Sequence, residues 1–185
     1  MAEAIRGFLC AAGLDPAAHP ELASTPELVA RAWAEEFLGG YGDDPRRILS
    51  ERMSAPRSSA PQMVALIGLS FQSTCPHHLL PYGGVAHVAY LPGRFVVGFG
   101  QIVKLLDCLG HRLILQEDLA RQIADALVEL VGARGAGVVL EAQQSCLALR
   151  GGRRPGSCAV AEAWAGAFER DSELRERFLA AMRRG

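Results

Sequence analysis

The stretch Ser73-Thr74-Cys75-Pro76-His77-His78-Leu79-Leu80 places one thiol and two imidazoles in a single short segment, between apolar runs that read as strands. Cys75 and His78 have C-x₂-H spacing, which lets one tight loop present a sulfur and a nitrogen to the same zinc ion. Such a loop cannot complete a site alone, so a further ligand or a water has to come from elsewhere. The best distant candidate is Cys146, in Gln143-Gln144-Ser145-Cys146, directly after the apolar run Val138-Val139-Leu140. Two cysteines, one histidine and an open position describe a catalytic zinc rather than a closed structural one. The alternative is that these cysteines are small buried hydrophobes and the spacing is chance.

The chain around this stretch has 185 residues, enough for one domain with a real core and a helical extension. Hydrophobic residues make up 50% and charged residues 21%, the composition of a soluble globular protein. The formal charge of −1 has no basic block behind it, which argues against nucleic acid as a partner. No apolar run approaches the roughly 20 residues of a membrane span, and Glu3 and Arg6 interrupt what would be the core of a signal peptide. The five cysteines are odd in number and irregular in spacing, a poor disulfide framework. A cytoplasmic protein with reduced thiols is expected.

The first 60 residues read as a helical segment. Ile5, Phe8, Leu9 and Ala12 share a face of a helix over 2–14, which Gly13 and Pro16 end. Ser24-Thr25-Pro26-Glu27 is a helix start: a hydroxyl cap, a first-turn proline and an acid at the positive end of the dipole. The helix that follows stops at Gly39-Gly40, and a short helix near 44–50 leads into a Ser-, Pro- and Ala-rich loop, 54–61. From 61 to 185 the reading is mixed. Met63 to Phe71 is a strand, Gly83-Gly84 punctuates, and Val85 to Leu91 is a second strand. Helices follow over 102–109 and 116–131, the latter with Leu119, Ile123, Leu127 and Leu130 on one face. Gly137 to Ala142 is a third strand. In 158–168 alanine alternates with larger residues, so period two outweighs the helix propensity of alanine and marks a strand with one very small face, against which something packs closely. A helix from about Asp171 closes the chain.

The order strand, strand, helix, helix, strand, strand gives an α+β fold: an antiparallel four-stranded sheet with helices on one face. Its two open edges and uncovered face invite assembly with copies of itself.

Together, Cys75-Pro76-His77-His78-Leu79-Leu80-Pro81, Gln116-Glu117-Asp118-Leu119, Cys146-Leu147-Ala148-Leu149-Arg150-Gly151 and Arg154-Pro155-Gly156-Ser157 resemble GTP cyclohydrolase I. Thr25-Pro26, Gly40-Tyr41 and Asp44-Pro45 look like the N-terminal segment of the same family, so the resemblance runs along almost the whole chain. It implies the tunnelling fold, in which ββααββ units join edge to edge into a ring and pair as a homodecamer with active sites between subunits. It also implies one zinc on Cys75, His78 and Cys146. The implied reaction opens the imidazole ring of GTP at C8, releases formate and recloses the product as dihydroneopterin triphosphate.

That chemistry has recognisable needs. C8 is a poor electrophile until a neighbouring nitrogen is protonated, and a zinc with an open position makes water nucleophilic near neutral pH. His77, beside the ligand His78, is placed to exchange that proton. Glu117, next to Gln116, resembles the carboxylate that accepts hydrogen bonds from the guanine edge, and Arg150 matches the arginine that meets phosphate with its planar fork. The plainer reading of Glu117 is a first-turn acid stabilised by the helix dipole.

Three positions depart from the pattern. The second catalytic histidine of the family stands two residues before the second zinc cysteine, and that position is Gln144 here. Glutamine orients a water or carbonyl but does not shuttle a proton near neutral pH. Where the family has Ser-Lys and a nearby Arg, this chain has Gly100, Gln101 and Lys104, and a helix arginine is replaced by Leu28 although Arg31 remains. Fewer charges are therefore offered to a triphosphate, which points to altered substrate or truncated chemistry. The competing expectation is a non-catalytic homologue that binds a nucleotide or a partner. A nitrile reductase of the same fold would need a nicotinamide site, for which no motif is present.

Overall fold

The computed structural model describes residues 1–55, 62–150 and 153–184, in two compact units, Met1–Gly39 and Gly40–Gly185. The boundary expected near residue 60, and most of the loop expected over 54–61, lie outside the described residues.

The first unit is helical. Helix α1 (Ala2–Ala11) carries the expected apolar face yet buries none of it fully, and Phe8 is 69% exposed. Helix α2 (Thr25–Ala32) begins at the Thr-Pro signal, buries Pro26, and continues as one wider turn over Trp33–Phe37. Arg6 of α1 donates to Glu27 of α2 at 3.1 Å, an exposed pair of small energetic weight.

The second unit opens with α3 (Pro45–Ile48), capped by the Asp44 carboxylate accepting from the Arg46 N–H at 2.9 Å. Strand β1 (Arg52–Ser54) pairs antiparallel with β4 (Phe95–Val97), a small sheet that the loop-like composition after residue 54 conceals. The main sheet contains β2 (Val64–Cys75), β3 (Leu80–Leu91), β5 (Gly135–Gln144) and β6 (Ala159–Gly166), antiparallel throughout in the order β2-β3-β5-β6. Between its halves come α4 (Phe99–Gly110) and α5 (Gln116–Glu129). The α+β class and the ββααββ order are as the sequence predicts.

Both helices pack on one sheet face. Leu119, Ile123 and Leu127 of α5 are 0% exposed, and burial of each such side chain stabilises the fold by about 1.5–3 kcal/mol. The small face of β6 is where α5 lies closest: Ala163 and Ala165 share the core with Ala120 and Ala124 of the helix. The strand ends two residues before Phe168, because Ala167–Arg170 turns into a helical segment, α7.

Two expectations are corrected. Gly83-Gly84 does not interrupt a strand; both residues lie inside β3, where a Cβ on Gly84 would stand 2.0 Å from the Glu141 carbonyl oxygen. Nor is the second face bare. Phe168 and helix α8 (Ser172–Met182), through Leu174 and Phe178, cover Ala89, Leu91 and Val139. Only the half nearer Cys75 leaves Ser70, Gln72 and Gln143 exposed.

A bulge between Leu66 and Leu69 breaks the β2 register, with Gly68 at φ +76°, a conformation natural to glycine. Its N–H donates to Nδ1 of His87 at 3.2 Å, and Nε2 of His87 stands 3.7 Å from Glu141. Burial lowers the His87 pKa, against an opposing pull from Glu141. The neutral imidazole is thus the native form, and the unfolded chain binds the proton more readily. Stability from this residue is complete above the ordinary histidine range near pH 6.5 and falls as pH drops through it. His87→Leu is expected to flatten the acid limb of a melting-temperature profile below pH 6.5. A limb identical to that of the parent protein would show that the acid sensitivity comes from other groups.

Candidate active site

Strand direction gathers the chemistry. β2 and β5 finish, and β3 and β6 start, at one end of the sheet, and register sets Ser73, Tyr82 and Gln144 side by side on three strands. Cys75 pairs with Leu80 two positions further out. The chain between them is a tight turn closed by the Leu79 N–H on the Cys75 carbonyl at 3.0 Å. Leu79 adopts φ 53°, a left-handed backbone that costs a leucine about 1–2 kcal/mol, at the turn that presents His77 and His78. Both imidazoles are exposed, edge to face, with ring centroids 6.3 Å apart.

Cys75 is buried, while Cys146 is half-buried in the short helix α6 (Ser145–Ala148) that follows β5 directly. The donor types, two thiols and an imidazole, suit zinc with an open position. They arrive at the same sheet end, but their side chains are not gathered: among the described residues no three His, Cys, Asp or Glu side chains stand close enough to hold a metal ion. Arg150 follows α6 and is exposed; Gly151 of the same motif lies outside the described residues.

The start of α5 comes to this end as well. The Gln116 side chain is buried, and its Nε2 donates to the carbonyls of Leu140 at 2.8 Å and Ala159 at 3.0 Å. Its Oε1 accepts from Nε2 of Gln144 at 2.7 Å. The resemblance implies substrate contacts from Gln116 and Lys104 besides Glu117 and Arg150, but the Gln116 side-chain amide is engaged within the protein. Glu117, the next residue, is exposed. Lys104 stands apart on α4, where it lines a concavity of about 540 Å³ with Asp43, Asp44, Glu51, Gln101 and Asp107. None of the other expected site residues lines that concavity.

Tyr82 was not singled out from the sequence, where it reads only as an aromatic between Pro81 and two glycines. It is buried, and its hydroxyl donates to the Ile114 carbonyl at 3.1 Å, tying the α4–α5 connection to the sheet. Burial, reinforced by Cys75, Glu117 and Asp118 nearby, pushes its pKa up to about 12. The phenol therefore stays neutral across the physiological range. Its contribution to stability is full below the ordinary tyrosine range near pH 10 and is lost as pH rises towards 12.

The segments that carry these thiol, imidazole and carboxylate groups thus lie at one end of the sheet. The family model described as GTP cyclohydrolase I matches residues 1–183, and the chain belongs to that family. It is 39% identical over 183 residues to GTP cyclohydrolase 1 of Chromobacterium violaceum, covering 98% of this chain and 86% of that protein. GTP cyclohydrolase 1 of Mycobacteroides abscessus is 42% identical over 183 residues, covering 98% and 87%. Among solved structures, the archaeosine synthase QueF-Like in its apo form is similar at a TM-score of 0.46 and 21% identity, over 59% of this chain and 98% of that one.

The buried phenol gives a direct check. In an ultraviolet pH titration, Tyr82→Phe is expected to remove an ionisation near pH 12 and to lessen the loss of stability between pH 10 and 12. An unchanged high-pH step would place the perturbed phenol elsewhere.

Proposed function

We propose that this chain is a zinc-dependent hydrolase that opens the imidazole ring of a guanine nucleotide at C8, on the route to dihydroneopterin triphosphate. The observation that carries the reading is that the segments bearing Cys75, His77, His78, Cys146 and Glu117 end or begin at one end of the sheet, in a member of the GTP cyclohydrolase I family. Cys75, His78 and Cys146 would hold the metal. Bound zinc supplies Lewis acidity that makes water nucleophilic near neutral pH.

The remaining work belongs to side chains. His77, exposed on the strained turn, exchanges a proton with the ring nitrogen next to C8. Glu117 accepts from the N–H groups of the guanine edge, and a base lacking those donors would leave its carboxylate unpaired. Arg150 meets phosphate with its planar fork. Lys104 reaches phosphate only from another subunit, since it lies away from this sheet end. A homo-oligomer with sites between subunits, a decamer in this reading, would bring the two together. The open edges of β2 and β6 supply the joining surfaces. Among the described residues no helix is long and apolar enough to cross a membrane, in keeping with a cytoplasmic enzyme.

Gln144 stands where the family places a second proton carrier, and general acid–base help is worth about 10²–10⁴-fold in rate. Slow closure after ring opening follows, so the ring-opened formamide is expected to accumulate. The observation that favours a second reading, a binding protein without turnover, is the same Gln144.

Mass spectrometry of the zinc-supplied protein with GTP, GMP, guanosine and guanine tests both. A formamidopyrimidine that accumulates supports the proposal, rapid conversion of GTP to a pterin with formate removes the truncated chemistry, and no product from any of them leaves the binding protein. Glu117→Gln is expected to lower kcat/KM for the guanine substrate on the order of 10²-fold, by loss of the acceptor pair. A change under twofold would return Glu117 to a role at the helix start.

A further inference from the structure

The amide pair at the site carries more than its presence in the fold. A carbonyl oxygen only accepts, so the two contacts from Gln116 to the Leu140 and Ala159 carbonyls require its NH₂ group to face them. Its oxygen then points at Gln144, and the atom of Gln144 2.7 Å away has to be a donor, its own Nε2. Neither amide is free to turn over without setting like against like. The group left to Gln144 is its carbonyl, Oε1, which no hydrogen bond among the described residues engages; the residue itself is half-exposed.

We infer that Gln116 is a positioning residue that locks Gln144 as a hydrogen-bond acceptor, and that Gln144 thereby selects ligand forms that carry a hydrogen on the purine N7 position. The inference rests on the guanine-nucleotide reading above, with Gln144 beside the reacting ring. In a guanine nucleotide N9 carries the ribose, so N7 is the one imidazole nitrogen with an in-plane lone pair. Against closed guanine, the Gln144 carbonyl meets that lone pair and gains nothing.

Addition of water across the N7–C8 double bond changes this. The oxygen joins C8 as a hydroxyl, the π bond breaks, and N7 takes up a proton delivered through His77. N7–H now donates to Gln144. The formamide that follows ring opening retains an N–H at the same nitrogen. A contact made after water adds, and absent before, belongs to the reaction's high-energy states. The locked amide therefore compensates in part for a proton carrier it does not replace, and it holds the ring-opened species.

Two nucleotides probe this contact. GTP has a bare N7, while 8-oxo-GTP in its keto form has N7–H and a C8 carbonyl; contacts of Glu117 and Arg150 to the shared base edge and triphosphate cancel in a ratio of affinities. Any contact of the C8 oxygen is common to the parent protein and its variants, so the change in ratio on substitution reports N7. Calorimetric titration of the full chain supplied with zinc is expected to give about tenfold or tighter binding of 8-oxo-GTP. Gln116→Leu frees Gln144 to turn its NH₂ towards N7, so the ratio is expected to fall by about tenfold. General loosening of the site would weaken both ligands and leave the ratio unchanged.

Gln144→Leu serves as the second variant, because it keeps Gln116 on its two backbone carbonyls; its ratio is also expected to fall by about tenfold. Equal affinities in the parent protein would overturn the inference and leave the guanine reading standing. A tenfold ratio that persists in either variant would remove the locked amide as its cause. Binding of neither these triphosphates nor GMP and 8-oxo-GMP to the parent protein would overturn the guanine-nucleotide reading, and this inference with it.

Discussion

The Gln116 amide ties the first turn of α5 to two strands of the sheet and to the residue that ends one of them. From the first turn of α5 it fastens the end of β5 through Leu140 and the beginning of β6 through Ala159, and with its oxygen it holds Gln144. Buried amides of this kind are costly when a partner is missing, because a polar group out of water has to find its bonds inside the protein. Satisfied at every position, this one sets where the helix dipole, the Glu117 carboxylate and the strand ends sit relative to one another. The site inherits its geometry from that fastening. Tyr82 adds a second tie on the β3 side, where its neutral phenol holds the Ile114 carbonyl just before the helix begins.

Much of the architecture was open to a reader of the chain alone. The i, i+4 row Leu119, Ile123 and Leu127 specified a helix buried on one face, and alanines at every second position over 159–165 specified a strand against which a helix comes close. What escaped was non-local. Arg52–Ser54 forms a strand only because Phe95–Val97 is there to receive it. Gly83-Gly84 look like punctuation in one dimension, but across the sheet they answer the crowding of the Glu141 carbonyl. The second face seemed bare because nothing in a terminal amphipathic helix states which surface it will cover.

The site divides along the same line. The C-x₂-H spacing singled out Cys75 and His78 within one short window, while the roles expected of His77 and Glu117 came only with the family resemblance. The partnership of Gln116 with Gln144 depends on a pairing of residues distant in the chain, and no window of sequence contains it. Tyr82 was hidden for a similar reason: its perturbation comes from burial and from neighbours on two other segments, the end of β2 and the start of α5. Sequence supplied the reactive groups, and the packing decided which of them are fixed in place.

The bulge at Gly68 has a bearing on the thiol at the far end of β2. Up to Leu66 the even-numbered residues of that strand, Val64 and Leu66, face the α4–α5 core; beyond it the odd-numbered ones do, Leu69, Phe71 and Cys75. One inserted residue has shifted the phase of the alternation. In an unbroken strand the same sequence would turn Thr74 inward and carry Cys75 to the opposite surface, away from the start of α5. The single extra residue therefore acts as a parity switch, and the sidedness of the reactive thiol is decided seven residues before the thiol itself.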